Sequence, residues 1–454
     1  MKNIVLTGLP GSGKTTIGKH LSRIIGLPFF DLDAEIEQSE SMNIGEIFNK
    51  LGEEGFRRIE ADQVRRISSK EGIILATGGG TIKSPDNMKL LSGNGFIVFI
   101  DRSLEDILKD LETSNRPLLK DNPRALIKLD AERRNSYVST ADYIYKGSHD
   151  PCQIAKIIGI AWLALNSTGY GVIGDPIAHS LSPEIHGIAF KLQDISAQYN
   201  SIQVPEDSLE VFIRATRKGE LKGLNVTAPH KQAIIPFLDE ISYEAKLCGA
   251  VNTVSVQNHR LYGHNTDMEG FSRSLAHRGH PITNKGIVIL GAGGASRAVA
   301  IKAGLEKAKN IHIVARDPIK AKNLSEYVED ATGVPSSFSG WSTNEISEAC
   351  RDSNILVNAT PLGMMGIDAA FEDLSFLSKL PKDGLVCDLI YSPPQTCLLK
   401  EASRLGLDGL NGFPMLVFQA LLAQEIFLDK KIHISQLYKS ISEYFLSQRK
   451  GLMI

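Results

Sequence analysis

Gly8-Leu9-Pro10-Gly11-Ser12-Gly13-Lys14-Thr15 is the first stretch whose residue types and spacing could do chemistry. Its glycines let backbone N–H groups turn inward around phosphate oxygens. Its lysine supplies a point charge to the β- and γ-phosphates, and its threonine hydroxyl can ligate Mg²⁺. Asp31-Leu32-Asp33 follows at the end of an expected strand, Phe29–Asp33, with its carboxylates on opposite faces. One could hold Mg²⁺ through water while the other meets an acceptor hydroxyl; a solvated strand end reads the same way. Arg57, the triplet Gly78-Gly79-Gly80, Arg116 in a polar loop, and Arg133 four residues before Tyr137 complete this group.

A second set lies in the other half. Ser180 and Ser182 precede Pro183, a residue that can start a helix. In an extended segment both hydroxyls share a face and can donate to one carboxylate. Ser182 also suits a helix N-cap, and both readings stand. His179 has no metal spacing or nucleophile beside it, which favours a structural role. Later come Asn225-Val226-Thr227, Lys231, Asn252 and Asn265-Thr266-Asp267. Gly291-Ala292-Gly293-Gly294-Ala295 follows a strand and opens a helix, as a pyrophosphate turn does. About 20 residues on, Arg316 ends the next strand with Lys320 close behind; a basic residue there can receive a ribose 2′-phosphate, favouring NADP. Asp317 adds a negative charge at the same place.

Alternating strands and helices must position these groups, the α/β pattern of parallel sheets. Strands are expected at 2–8, 73–77, 96–101, 142–145 and 286–290, and helices at 14–25, 125–138, 151–165 and 415–427. The small polar run Asn166-Ser167-Thr168-Gly169 marks a boundary. The expected division is a three-layer P-loop domain over 1–166, an α/β substrate domain over 167–270 completed by 411–454, and a Rossmann domain over 271–410.

Composition agrees with several globular domains. The 454 residues are 42% hydrophobic and 22% charged, which excludes a disordered or disulfide-stapled chain. A net charge of −2 offers no basic field for nucleic acid or acidic lipid. No apolar run approaches the roughly 20 residues of a membrane span. Five scattered cysteines without a Cys-x-x-Cys pair point to reduced thiols in a cytoplasm. Small-molecule ligands are therefore the expected partners.

Residues 1 to about 165 resemble shikimate kinase. The resemblance implies that Gly11, Ser12, Gly13, Lys14, Thr15, Thr16 and Arg116 hold ATP, with Arg116 the lid arginine. It implies Mg²⁺ at Thr15 and, by way of water, at Asp31. Asp33 would contact the acceptor hydroxyl, and Arg57 and Arg133 would clamp the shikimate carboxylate with Gly79 nearby. Residues from about 168 to 445 resemble shikimate dehydrogenase. That resemblance implies a catalytic pair, Lys231 and Asp267, with Ser180 and Ser182 on the carboxylate and Thr227, Asn252, Tyr391 and Gln419 around the ring hydroxyls. NADP(H) would lie on Gly291, Ala292, Gly293, Gly294, Ala295, Arg316, Lys320 and Gly412.

The two resemblances imply consecutive steps towards aromatic amino acids. 3-Dehydroshikimate is reduced to shikimate, which is then phosphorylated on its 3-hydroxyl. An alternative reading makes the second half a quinate dehydrogenase. A regulatory protein that has lost its chemistry is a further alternative, but it predicts missing catalytic residues. Lys14, Thr15, Asp33, Lys231 and Asp267 are all present.

Overall fold

A computed structural model describes residues 1–112, 123–147 and 150–448. The chain forms two compact units, one of Met1–Thr168 with Val204–Leu221, the other of Gly169–Gln203 with Lys222–Ile454.

The first unit is built on a parallel sheet of five strands: β1 (Asn3–Thr7), β2 (Phe29–Asp31), β3 (Ile74–Ala76), β4 (Gly95–Asp101) and β5 (Tyr143–Lys146). Their order is β2-β3-β1-β4-β5. β1 and β3 are buried along their whole length, as strands covered on both faces must be. The order matters for chemistry. β2, β3 and β1 are neighbours, so the loops leaving their C-terminal ends meet at one edge of the sheet, where α/β proteins bind ligands. The helix Pro151–Asn166 packs against Lys14–Ile25 and also against Leu209–Thr216. From the end of that last segment, Lys218 Nζ reaches Asp142 Oδ2 at 2.7 Å and the Gly95 carbonyl at 3.2 Å.

The second unit holds two sheets. One mixed sheet contains β6 (Thr168–Gly174), β7 (Tyr199–Gln203), β8 (Glu220–Val226), β9 (Glu240–Ile241), β10 (Thr253–Gln257) and β11 (Arg260–His264). Its order is β7-β6-β8-β10-β11-β9. β10 and β11 form a hairpin through Asn258 and His259, both at positive φ, the two-residue turn that matches strand twist. The other sheet is parallel and contains β12 (Gly286–Leu290), β13 (Asn310–Val314), β14 (Ser336–Ser339), β15 (Ile355–Asn358), β16 (Leu385–Asp388) and β17 (Asp408–Leu410). The order β14-β13-β12-β15-β16-β17 places the first strand at the centre with reversal beside it, the doubly wound dinucleotide arrangement. The helix Phe413–Leu428 then packs against Asp267–His277.

Two local expectations are corrected. The second strand stops at Asp31, and Leu32–Glu40 is a helix. Asp31 itself ends the strand, because its side chain accepts from the Asp33 and Ala34 N–H groups as an N-cap. Asp31 and Asp33 are therefore cap and first turn, not opposite faces of a strand. The serine segment is not extended either. Leu181 is helical, and Ser182 opens the helix Ser182–Leu192 with Pro183 in its first turn. Ser182 makes no side-chain cap bond there; its N–H donates to Ser180 Oγ at 3.3 Å.

Candidate active sites

In the first unit, the loop after β1 is shaped by Gly8, Gly11 and Gly13, all at positive φ, a conformation glycine adopts without steric cost. Lys14 is buried and donates to the Gly8 and Leu9 carbonyls at 2.9 Å each. Thr15 Oγ1 donates to Asp31 Oδ2 at 2.6 Å, joining the loop to the end of β2. Ser12 is buried, whereas Thr16 faces solvent.

The glycine triplet leaves room for three different functional groups. A Cβ on Gly78 would meet Asp33 Oδ1 at 2.5 Å, and one on Gly79 the Pro10 ring at 2.9 Å. One on Gly80 would collide with the Arg57 guanidinium. Arg57 is held by Glu60 at 2.7 Å, and the other Glu60 oxygen accepts from Thr81 at 2.8 Å. Arg133 NH1 donates to the Gly79 carbonyl at 2.6 Å. Its neighbour Arg134 pairs instead with Asp101 and Asp130. The Nε atoms of Arg57 and Arg133 are both buried without a hydrogen-bond partner among the described residues. Two guanidinium edges with unused donors suit a carboxylate. Burial first, then the Asp31 charge, pushes the Asp33 carboxyl up to about 6, against the opposing pull of Lys14. Its side chain also reaches solvent, so water tempers that burial. Arg116 lies outside the described residues.

In the second unit, Lys231 Nζ and Asp267 Oδ2 lie 2.6 Å apart. Lys231 sits on the short helix His230–Ala233, whose backbone is tied by the Val251 N–H to the Lys231 carbonyl. Asp267 is the first residue of Asp267–His277, where the helix dipole favours a carboxylate. Asn252 Nδ2 donates to the other Asp267 oxygen at 2.8 Å, and Asn252 Oδ1 accepts from the Thr266 N–H. Both Asp267 oxygens are thus engaged and their orientation is fixed.

A cavity of about 680 Å³ opens over this pair. Ser180, Ser182, Thr227, Asn252, Tyr391 and Gln419 all line it, so the serines reach it despite the helical turn between them. Gly294, Ala295 and Gly412 also line it. Gly412 is required by crowding, since a Cβ there would collide with the Leu389 carbonyl oxygen. Gly291, Ala292 and Gly293 form the turn behind, with the Gly291 N–H on the Val314 carbonyl at 2.7 Å. Arg316 and Lys320 are exposed beyond β13, outside the cavity lining. Asp317 caps the helix Pro318–Thr332, accepting from the Ile319 and Lys320 N–H groups.

Some supporting residues carried no assigned role in the sequence reading. Glu60 could have been found as an acid three residues after Arg57 on a helix. Asn358, Asp388 and Thr396 form a buried cluster, with Asp388 taking Thr396 Oγ1 at 2.6 Å and Asn358 Nδ2 at 3.0 Å. Burial pushes the Asp388 carboxyl up to about 6. No spacing rule points to this cluster.

A glycine loop between a strand and a helix, beside an aspartate and two arginines with unused donors, followed by a dinucleotide fold facing a lysine–aspartate pair, defines a phosphotransferase joined to a nicotinamide-dependent dehydrogenase. Comparison with known proteins narrows both halves. The shikimate kinase family matches residues 10–160, and the shikimate dehydrogenase substrate-binding domain matches 172–254. A shikimate dehydrogenase (NADP(+)) of Desulforamulus reducens is 38% identical over 258 residues, 56% of this chain and 88% of that protein. The structure of a Listeria monocytogenes shikimate 5-dehydrogenase with shikimate and NAD is 32% identical. It superposes with a TM-score of 0.56 over 60% of this chain and 96% of its own. A quinate dehydrogenase of Corynebacterium glutamicum with NAD is 31% identical with a TM-score of 0.55, over 61% and 99%. The chain belongs to the shikimate dehydrogenase family, with a shikimate kinase domain ahead of it, and is a bifunctional enzyme.

Proposed function

We propose that the second unit reduces 3-dehydroshikimate to shikimate with NADPH, and that the first phosphorylates shikimate at its 3-hydroxyl with ATP and Mg²⁺. The observation that carries the reading is the Lys231–Asp267 pair, 2.6 Å apart in the wall of a cavity that also gathers Ser180, Ser182, Thr227, Asn252, Tyr391 and Gln419. Bound NADPH supplies the hydride to the C3 carbonyl carbon. Lys231 gives the proton that the developing alkoxide requires, and Asp267 holds the ammonium in place. The two serines bind the carboxylate, and the remaining groups contact the ring hydroxyls. Gly291 to Ala295 and Gly412 admit the cofactor backbone, and Arg316 with Lys320 meets its 2′-phosphate.

In the kinase, Arg57 and Arg133 clamp the carboxylate, Asp33 accepts from the reacting hydroxyl, and Lys14 with the Gly11–Thr16 backbone cradles the phosphates. Thr15 Oγ1 and Asp31 Oδ2 are hard oxygen donors of the kind Mg²⁺ prefers. Arg116 closes over the phosphates. Positioning and charge neutralisation carry the phosphoryl transfer. We assign 1–166 to the kinase, 167–270 with 411–454 to the substrate domain, and 271–410 to the cofactor domain; Val204–Leu221, within the substrate-domain stretch, packs with the first unit. Five free cysteines fit a reducing cytoplasm. Among the described residues no helix is long and apolar enough to cross a membrane.

One tube holding 3-dehydroshikimate, NADPH and ATP–Mg²⁺ tests the reading: nicotinamide absorbance falls and ADP appears. Lys231→Ala loses reduction by about 100-fold or more yet phosphorylates added shikimate, and Lys14→Ala does the reverse. Loss of both activities from either substitution in folded protein overturns the two-site assignment. The quinate dehydrogenase likeness supports a second reading for the second unit, and kcat/KM for quinate above that for shikimate would establish it.

A further inference from the structure

We propose that Tyr137 is a positioning residue whose single hydroxyl proton couples nucleotide binding to acceptor binding in the kinase; the inference rests on the kinase reading above. The Tyr137 side chain is buried, with its ring stacked on Phe99 at 4.9 Å. Its hydroxyl faces two carbonyls, Gly8 at 3.1 Å and Gly79 at 2.8 Å. Each carbonyl has another donor. Lys14 Nζ lies 2.9 Å from Gly8, and Arg133 NH1 lies 2.6 Å from Gly79. An unbroken line of hydrogen bonds therefore runs from Lys14 through Gly8, Tyr137 and Gly79 to Arg133. One end belongs to the nucleotide loop and the other to the carboxylate clamp.

A phenol carries one donor, so it serves one carbonyl fully at a time. Burial pushes the Tyr137 phenol up to about 12, so the proton stays on the hydroxyl at working pH. When Lys14 turns to a phosphate, the Gly8 carbonyl loses a donor, and leaving it unsatisfied is costly. Tyr137 then donates to Gly8, and Gly79 keeps only Arg133. The stronger bond pins Arg133 through NH1 and leaves its Nε edge, already without a partner, for the carboxylate. Nucleotide thus tightens acceptor binding, and by linkage the acceptor tightens nucleotide equally.

The reciprocal direction is the cleaner test, because shikimate also binds the dehydrogenase. The full-length protein is titrated with the Mg²⁺ complex of a non-hydrolysable ATP analogue, with and without saturating shikimate. We expect shikimate to tighten the analogue at least threefold in the wild type, and Tyr137→Phe to bring the ratio to one while binding the analogue alone. Phe99→Leu keeps the hydroxyl but loosens the ring that aims it, and gives an intermediate ratio. It decides the matter should Tyr137→Phe fail to fold. A wild-type ratio of one, or wild-type coupling in the variant that folds, overturns the inference. Absence of shikimate phosphorylation by the wild type would instead overturn the kinase reading itself.

Discussion

Asp33 shows how much of a site can rest on one titration. Burial and its carboxylate neighbours Asp31, Glu60 and Glu37 hold its proton to about pH 6, with Lys14 as the opposing charge. In the role proposed for Asp33, the neutral form cannot accept the proton of the reacting hydroxyl. A raised carboxyl pKa therefore means activity present above about pH 6 and lost as pH falls through it. Phosphorylation measured from pH 5 to 8 should show that acid limb. Asp33→Asn should lower the rate by about 10²–10⁴-fold at every pH, in line with general base catalysis, and abolish the limb. A limb unchanged in the variant would assign the titration elsewhere. At this scale residue type and spacing single out Lys14, Thr15 and Arg133, and the structure brings them to the loop after β1, the end of β2 and the glycine triplet. The sequence was silent on Tyr137 as a link, because the two carbonyls it joins belong to glycines more than 50 residues away from it.

At the scale of elements, strand order does the positioning. The loops after β1, β2 and β3 converge because those strands are neighbours in the sheet. The glycine triplet then lets three groups approach within contact distance of the backbone. Gly79→Ala should push the Pro10 ring, displace the nucleotide loop, and lower phosphorylation at least 10-fold while reduction continues. Gly412→Ala should do the opposite, since its Cβ meets the Leu389 carbonyl beside the cavity. Steady-state rates for both reactions on each variant check the pair. A contrast comes from Ser342, which caps Thr343–Arg351 in a capping box remote from the cavity lining. Ser342→Ala should lower stability by about 1 kcal/mol in denaturant melts and leave kcat unchanged. Helices and parallel strands were legible from periodicity and punctuation. The turn at Asp31 was not, since an N-cap aspartate and a strand-end aspartate look alike until the following N–H groups turn towards it.

For the whole molecule, a near-zero net charge leaves ligand capture to local groups, in the proposed reading Arg57 and Arg133 in one unit and the Lys231–Asp267 cavity in the other. The two units should respond to different ligands in thermal melts. ATP analogue with Mg²⁺ should stabilise the first and NADP⁺ the second, each by about 2.7 kcal/mol at 100 times its Kd. Fluorescence or calorimetric melts with each ligand alone would reveal the selectivity. Unit membership was the least legible feature. Leu209–Thr216 reads as an amphipathic helix, and nothing in its pattern says that its apolar side faces Pro151–Asn166. Lys218→Met should remove the Asp142 pair and lower the stability of the first unit by about 1 kcal/mol, a partly buried ion pair being worth little more.

The inclusion of Val204–Leu221 in the first unit has a consequence for biosynthesis. Translation proceeds at roughly 5–20 residues per second and N-terminal domains generally fold first. Here the ribosome passes Thr168 before Leu209–Thr216, which packs against Pro151–Asn166, has been made, and supplies it seconds later, after β6 and β7 have emerged. Nascent chains arrested just beyond Thr168 should be cleaved by protease faster than chains arrested well past Leu221. Equal resistance would mean that the shorter chain already folds without its later segment.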